Sequence, residues 1–107
     1  MLFGSGRSDT AHFAADRPLA AAPDARYCYS SGSTNILSRI VATILGPGEP
    51  YEAYLRERLL TPIGMASARP TFDEAGTWIA STFLHATARD FARFGLLQLR
   101  DGVWDGT

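Results

Sequence analysis

From Ile36 to Leu45 apolar residues recur at helical spacing, and the run stops at Gly46-Pro47-Gly48. Ile36, Leu37, Ile40, Val41, Ile44 and Leu45 share one broad face of a helix over about 34–45. A face this wide, closed by a glycine-proline-glycine stop, commits the chain to a mostly helical cluster. It predicts a helix packed through that face, so Ile40→Asp should unfold the cluster by burying an unpaired charge.

Two more helices follow the same logic. One over about 50–60 starts at Pro50, a good first-turn residue after Glu49. It places Tyr51, Tyr54, Leu55, Arg58 and Leu59 on one side and the pair Glu52 and Arg56 outside. The turn Thr61-Pro62-Ile63-Gly64-Met65 closes it and tucks Ile63 and Met65 inward. A helix over about 87–100 opens at Thr87-Ala88-Arg89-Asp90, with Asp90 placed for reciprocal capping. Phe91, Phe94 and Leu97 mark its buried side, and Ala88, Ala92 and Gly95 form a small-residue stripe. Glycine in mid-helix costs about 1 kcal/mol against alanine, which predicts a close-packed neighbour at Gly95.

The remaining segments are less regular. Residues 1–26 read as loop, broken by Gly4, Gly6, Pro18 and Pro23, with a short helix over 9–16 that Ser8-Asp9-Thr10 caps and that carries Phe13 inward. Tyr27-Cys28-Tyr29 has the character of a brief strand or an ordered approach, and Ser30 to Thr34 that of a polar turn rich in N-cap candidates. The apolar stretch 78–84 fits either a strand or a buried loop.

Composition removes several classes of function. A length of 107 residues allows one domain, and a net charge of −1 gives no electrostatic case for nucleic acid or an anionic membrane surface. No apolar run approaches a membrane span. All ten basic residues are arginine, so a lysine base, a Schiff base and a P-loop lysine are excluded within this chain. The single cysteine, Cys28, permits neither an internal disulfide nor a cysteine cage for a metal, and it reads as a buried small hydrophobe. His12 and His85 lie far apart with no metal-ligand spacing, so no metal and no organic cofactor is implied. Met1-Leu2-Phe3-Gly4 does not read as a signal peptide, and the compartment stays open.

One segment carries chemistry. A phenol with an ordinary pKa near 10 is a poor base, yet a cation and the positive end of a helix both favour its ionised form. Tyr29 stands a few residues before a helix start, with Ser31 two places on. Taken alone, Tyr29 is better explained as a packing aromatic and Ser31 as a turn or N-cap residue. Neighbouring motifs decide between these readings. Tyr29-Ser30-Ser31 resembles the tyrosine-x-asparagine/serine motif of the penicillin-recognising serine hydrolases, which include class C β-lactamases, D-alanyl-D-alanine peptidases and related esterases and amide hydrolases. Leu60-Thr61-Pro62-Ile63-Gly64-Met65 resembles that family's leucine-x-proline-leucine/isoleucine-glycine-methionine turn. Thr87-Ala88-Arg89-Asp90-Phe91-Ala92-Arg93-Phe94 resembles its T-A-x-D-x-A-R-F helix. Order and spacing agree from about Tyr27 to Trp104.

The resemblance implies an α+β hydrolase fold, of which residues 1–107 would be the helical subdomain. It implies catalytic roles for Tyr29, as general base and proton relay, and for Ser31, as a hydrogen-bonding partner. It implies a small-molecule ester or amide substrate and an acyl-enzyme, with the esterase and amidase branches favoured over true lactamases. The family's nucleophile sits in S-x-x-K, which a chain without lysine does not contain. Neither histidine is followed two residues later by glycine, so the family's third motif is missing as well. The expectation is therefore a central fragment, cut at both ends, with Met1 an internal or alternative start and no activity of its own. The alternatives are a non-catalytic helical interaction module and a fragment without independent function.

Overall fold

The structure, a computed structural model, describes residues 6–107. The expectations placed on Met1 to Gly4 lie outside the described residues. Helix α1 spans Thr10–Ala15, α2 Ser31–Leu45, α3 Glu49–Leu55 and α4 Ala88–Leu99. Two short strands, β1 (Arg69–Pro70) and β2 (Leu84–His85), pair antiparallel with Arg69 opposite His85. An isolated bridge from Phe72 to Trp78 extends this ribbon, so the ambiguous 78–84 stretch is a turn leading into β2.

Local chemistry accounts for the boundaries. The Asp9 side chain accepts from the His12 amide at 3.0 Å and caps α1, as the sequence suggests. A second acid, Asp73, reaches the same end from 63 residues away and accepts from the Thr10 amide and hydroxyl at 2.9 and 3.1 Å. Helix α2 starts at Ser31 rather than near 34, because the Ser30 hydroxyl takes the Ser33 amide. The expected 50–60 helix divides. After Leu55 the chain widens into a π turn over Arg56–Leu60, with the Thr61 amide donating to the Arg56 carbonyl at 2.8 Å. Pro62 fits the widening, since it has no amide to give and a regular α turn would press its ring against the carbonyl of Arg58.

The main core gathers Leu55, Leu60, Ile63, Met65, Ala68 and Leu97, with Leu59, Trp78, Leu84, Ala86 and Trp104 packed around it. Ile63 and Met65 turn inward as predicted. Tyr51 meets Phe72 and Trp78 edge-on, with ring centroids 5.5 and 6.4 Å apart. Gly76 closes the loop beneath α2. Its φ of +80° and the Gly48 amide 2.7 Å from where a Cβ would stand both require glycine.

Several expected packing faces are reversed. Helix α2 buries Asn35, Ser38 and Ala42 and leaves Leu37, Ile40, Val41 and Ile44 exposed. The reason is polar. The Ser38 hydroxyl donates to the Trp78 carbonyl at 2.7 Å and pairs with the Tyr51 hydroxyl at 2.9 Å, while Asn35 accepts from the Ser81 amide. These groups must be satisfied once buried, and only this orientation brings them to partners. Helix α4 likewise buries Asp90 and Leu97 and leaves Phe91 and Phe94 exposed. A Cβ built at Gly95 would meet nothing within 4 Å beyond its own helix backbone, so no close-packed partner explains the glycine. Tyr54 is also exposed, under the Arg58 guanidinium at 5.8 Å from its ring centre.

Candidate functional site

The amino end of α2 collects the residues singled out for chemistry. Ser30 is the N-cap, so Tyr29 is the residue just outside the helix and Ser31 its first residue. Tyr27-Cys28-Tyr29 forms neither strand nor buried segment. Tyr27 and Tyr29 are 92% and 85% exposed, and Cys28 is exposed too, against the expectation of a buried thiol. The extended backbone ahead of a serine cap holds all three side chains clear of the core. Among the described residues, neither the Tyr29 phenol nor the Ser31 hydroxyl has a hydrogen-bond partner. Tyr29 is thus positioned at a positive helix end and open to solvent.

An open groove of about 470 Å³ lies beside this helix end, bounded by Phe13, Arg17, Leu19, Cys28, Ser30 and Ile36. Its cation is Arg17, which stacks over the Phe13 ring at 4.3 Å and donates through Nε to the Phe13 carbonyl at 3.1 Å. Arg39 is held elsewhere, 3.2 Å from the Asp9 carboxylate. The His12 amide, ahead of Arg39, keeps that carboxyl below the usual carboxylate range. Among the described residues no cluster of His, Cys, Asp or Glu could hold a metal ion, and no helix is long and apolar enough to cross a membrane.

Sequence reasoning missed two polar clusters, the first of which anchors α1, the helix packed against α2. Asp73 ties α1 to the 73–77 turn, accepting also from the Thr77 amide at 2.9 Å. Asp90 does not close the expected reciprocal box. Its own amide donates to the Thr87 hydroxyl at 3.2 Å, but the Thr87 amide turns to Ser67, at 3.0 Å. The Asp90 carboxylate instead accepts from the Ser67 hydroxyl and amide and from Arg93, at 2.5, 2.9 and 2.6 Å. The Ser67 hydroxyl first, its amide next and then Arg93 hold the Asp90 carboxyl below its ordinary 3.8. No local spacing announces either cluster, since the partners lie 23 and 63 residues apart.

The structure brings Tyr29 and Ser31 to one helix end; the second signature supplies Leu60, Ile63 and Met65 to the main core, and the third opens α4, whose Leu97 joins them. A family model described as beta-lactamase matches residues 4–105, which includes all three signatures. No curated protein and no solved structure matches the chain.

Proposed function

The chain belongs to the beta-lactamase family, and from that premise we propose that it is the helical part of a serine hydrolase that cleaves an ester or amide through an acyl-enzyme. The supporting observation is the placement of Tyr29 and Ser31 on either side of the α2 cap, inside the matched region. In this reading the Tyr29 side-chain oxygen takes the proton of a serine hydroxyl as the serine oxygen attacks the substrate carbonyl. Tyr29 then passes the proton to the departing alcohol or amine. Water then gives its proton to the same Tyr29 oxygen and attacks the acyl carbonyl, and the serine oxygen leaves with that proton, which releases the acid and restores the serine. Ser31, one residue past the cap, offers a hydroxyl to the substrate or to a cation beside Tyr29. The attacking serine belongs to an S-x-x-K segment, which this lysine-free sequence lacks. Residues 1–107 therefore form a partial domain whose sheet part and nucleophile lie in other polypeptide.

The rival reading, a helical interaction module without catalysis, is favoured by the same absence of lysine. One assay addresses the chain as it stands. The purified 107-residue protein is expected to hydrolyse neither nitrocefin nor a nitrophenyl ester above background. A burst of product that a covalent serine inhibitor abolishes would place a nucleophile within this chain and overturn the assignment of Tyr29 and Ser31.

A further inference from the structure

The groove beside the amino end of α2 has a chemistry of its own. Helix α1 and the loop after it supply one side, through Phe13, Pro18 and Leu19, and the first turns of α2 supply the other, through Ser33 and Ile36. A Cβ at Gly32 would stand 3.1 Å from that of Ala14, so the two helices touch there and hold the walls in place. The volume of about 470 Å³ is that of a small-molecule site. The walls are mostly apolar, and no acidic side chain lines them. Arg17 stands among them as the one charge. Its stacking over the Phe13 ring at 4.3 Å and its Nε bond to the Phe13 carbonyl at 3.1 Å hold the guanidinium in place. Among the described residues its two terminal nitrogens have no hydrogen-bond or ion-pair partner.

We propose that this groove is a binding site for a small apolar carboxylate, with the acid on Arg17 and the hydrocarbon along Phe13, Leu19 and Ile36. A guanidinium presents a planar fork that matches a carboxylate. Because Arg17 is already held at Nε and by the ring, little side-chain freedom is lost when its terminal nitrogens engage an anion. A neutral ligand leaves those nitrogens unmatched, and a wholly polar anion leaves the apolar walls in water. The same cation argues against uncharged polypeptide as the occupant, since an apolar segment laid over the groove would bury the guanidinium without a partner. Apolar walls and a fixed cation require both properties in one molecule. Tyr29 does not line the groove, and the inference stands whether or not the catalytic reading does.

Titration of the 107-residue protein with sodium octanoate tests the site, followed through the backbone amide signals of Ala14, Ser33 and Ile36 in nuclear magnetic resonance spectra. The shifts should saturate with a Kd in the low millimolar range, the scale for a ligand of about ten non-hydrogen atoms. Octanamide, alike in shape and uncharged, should bind at least about fivefold more weakly, and acetate should give no saturable shift at the same concentrations. Arg17→Gln should bring octanoate down to the affinity of octanamide and leave octanamide binding unchanged, which also shows that the groove is intact. Leu19→Ser should weaken both ligands alike, a result that does not depend on how well the Arg17 variant folds. Octanoate shifts that never saturate, octanamide that binds as tightly as octanoate, or a preference for octanoate that survives Arg17→Gln would each overturn the proposal. Loss of octanoate binding in the protein expressed with its flanking coding sequence would overturn it as well, because the groove would then belong to other polypeptide.

Discussion

At the scale of the residue, the Asp90 carboxylate ties the start of α4 to the loop before β1 through Ser67 and to its own helix through Arg93. Its folded pKa lies below that of the unfolded chain. The stability it contributes is therefore fully present above about 3.9, the unfolded value, and is lost as pH falls from there through the folded pKa. Asp90→Asn keeps the shape and removes the titration. The melting temperature of the variant should lie below that of the unchanged protein at neutral pH, and the gap should narrow as pH drops below about 4. A gap that stays constant with pH would show that ionisation of Asp90 contributes nothing. This residue also marks how far the sequence is legible at this scale. Capping of α4 by Thr87 follows from residues three apart, whereas the partnership with Ser67 joins residues 23 apart and has no local signature. Asp73 and Thr10 make the same point. Local patterns reveal local hydrogen bonds. For Tyr29 and Ser31 the signal is a resemblance to a family's motifs, not periodicity.

At the scale of the element, the three principal helices are legible and their orientation is not. Period and stop signals locate α2 and α4 to within a few residues, because spacing and capping are properties of the chain itself. Which side faces inward is decided by partners. A serine and an asparagine that find hydrogen bonds at Trp78, Tyr51 and Ser81 outweigh an apolar face that finds no cover. Ile40→Asp consequently places its charge at a half-open position and is expected to leave the fold intact, not to unfold it. The same reversal changes the meaning of Gly95. With open space around it and a helical backbone, the glycine has only its entropic cost, so Gly95→Ala should stabilise the protein by about 0.5–1 kcal/mol. A fall in melting temperature on that substitution would reveal a contact at Gly95 that the fold does not show. The π turn before Pro62 is a further feature the helical pattern hides, since apolar spacing is almost the same on either side of it.

At the scale of the whole molecule, the surface is larger than the chain's mass accounts for. Its accessible area is 7336 Å², against about 5,800 Å² for a compact monomer of this size. The radius of gyration is 15.2 Å, against about 13 Å for a compact chain of this length. The excess is apolar in part: Leu37, Ile40, Val41 and Ile44 of α2, Phe91, Phe94 and Leu99 of α4, and the two tyrosines ahead of α2 all face outward. A two-strand ribbon and one core around Leu60 and Met65 give this molecule little with which to close a catalytic cleft. The proposed hydrolase accounts for that openness by setting Tyr29 at the rim of a cleft whose other wall carries the serine. The most direct measurement is turnover of nitrophenyl esters and nitrocefin by the protein expressed with the coding sequence that flanks it, with and without Tyr29→Phe. Activity should appear in the extended protein and fall by at least about a hundredfold in the variant, the scale of a lost general base. An active extended protein whose turnover is untouched by Tyr29→Phe would make this tyrosine a surface aromatic and contradict the account.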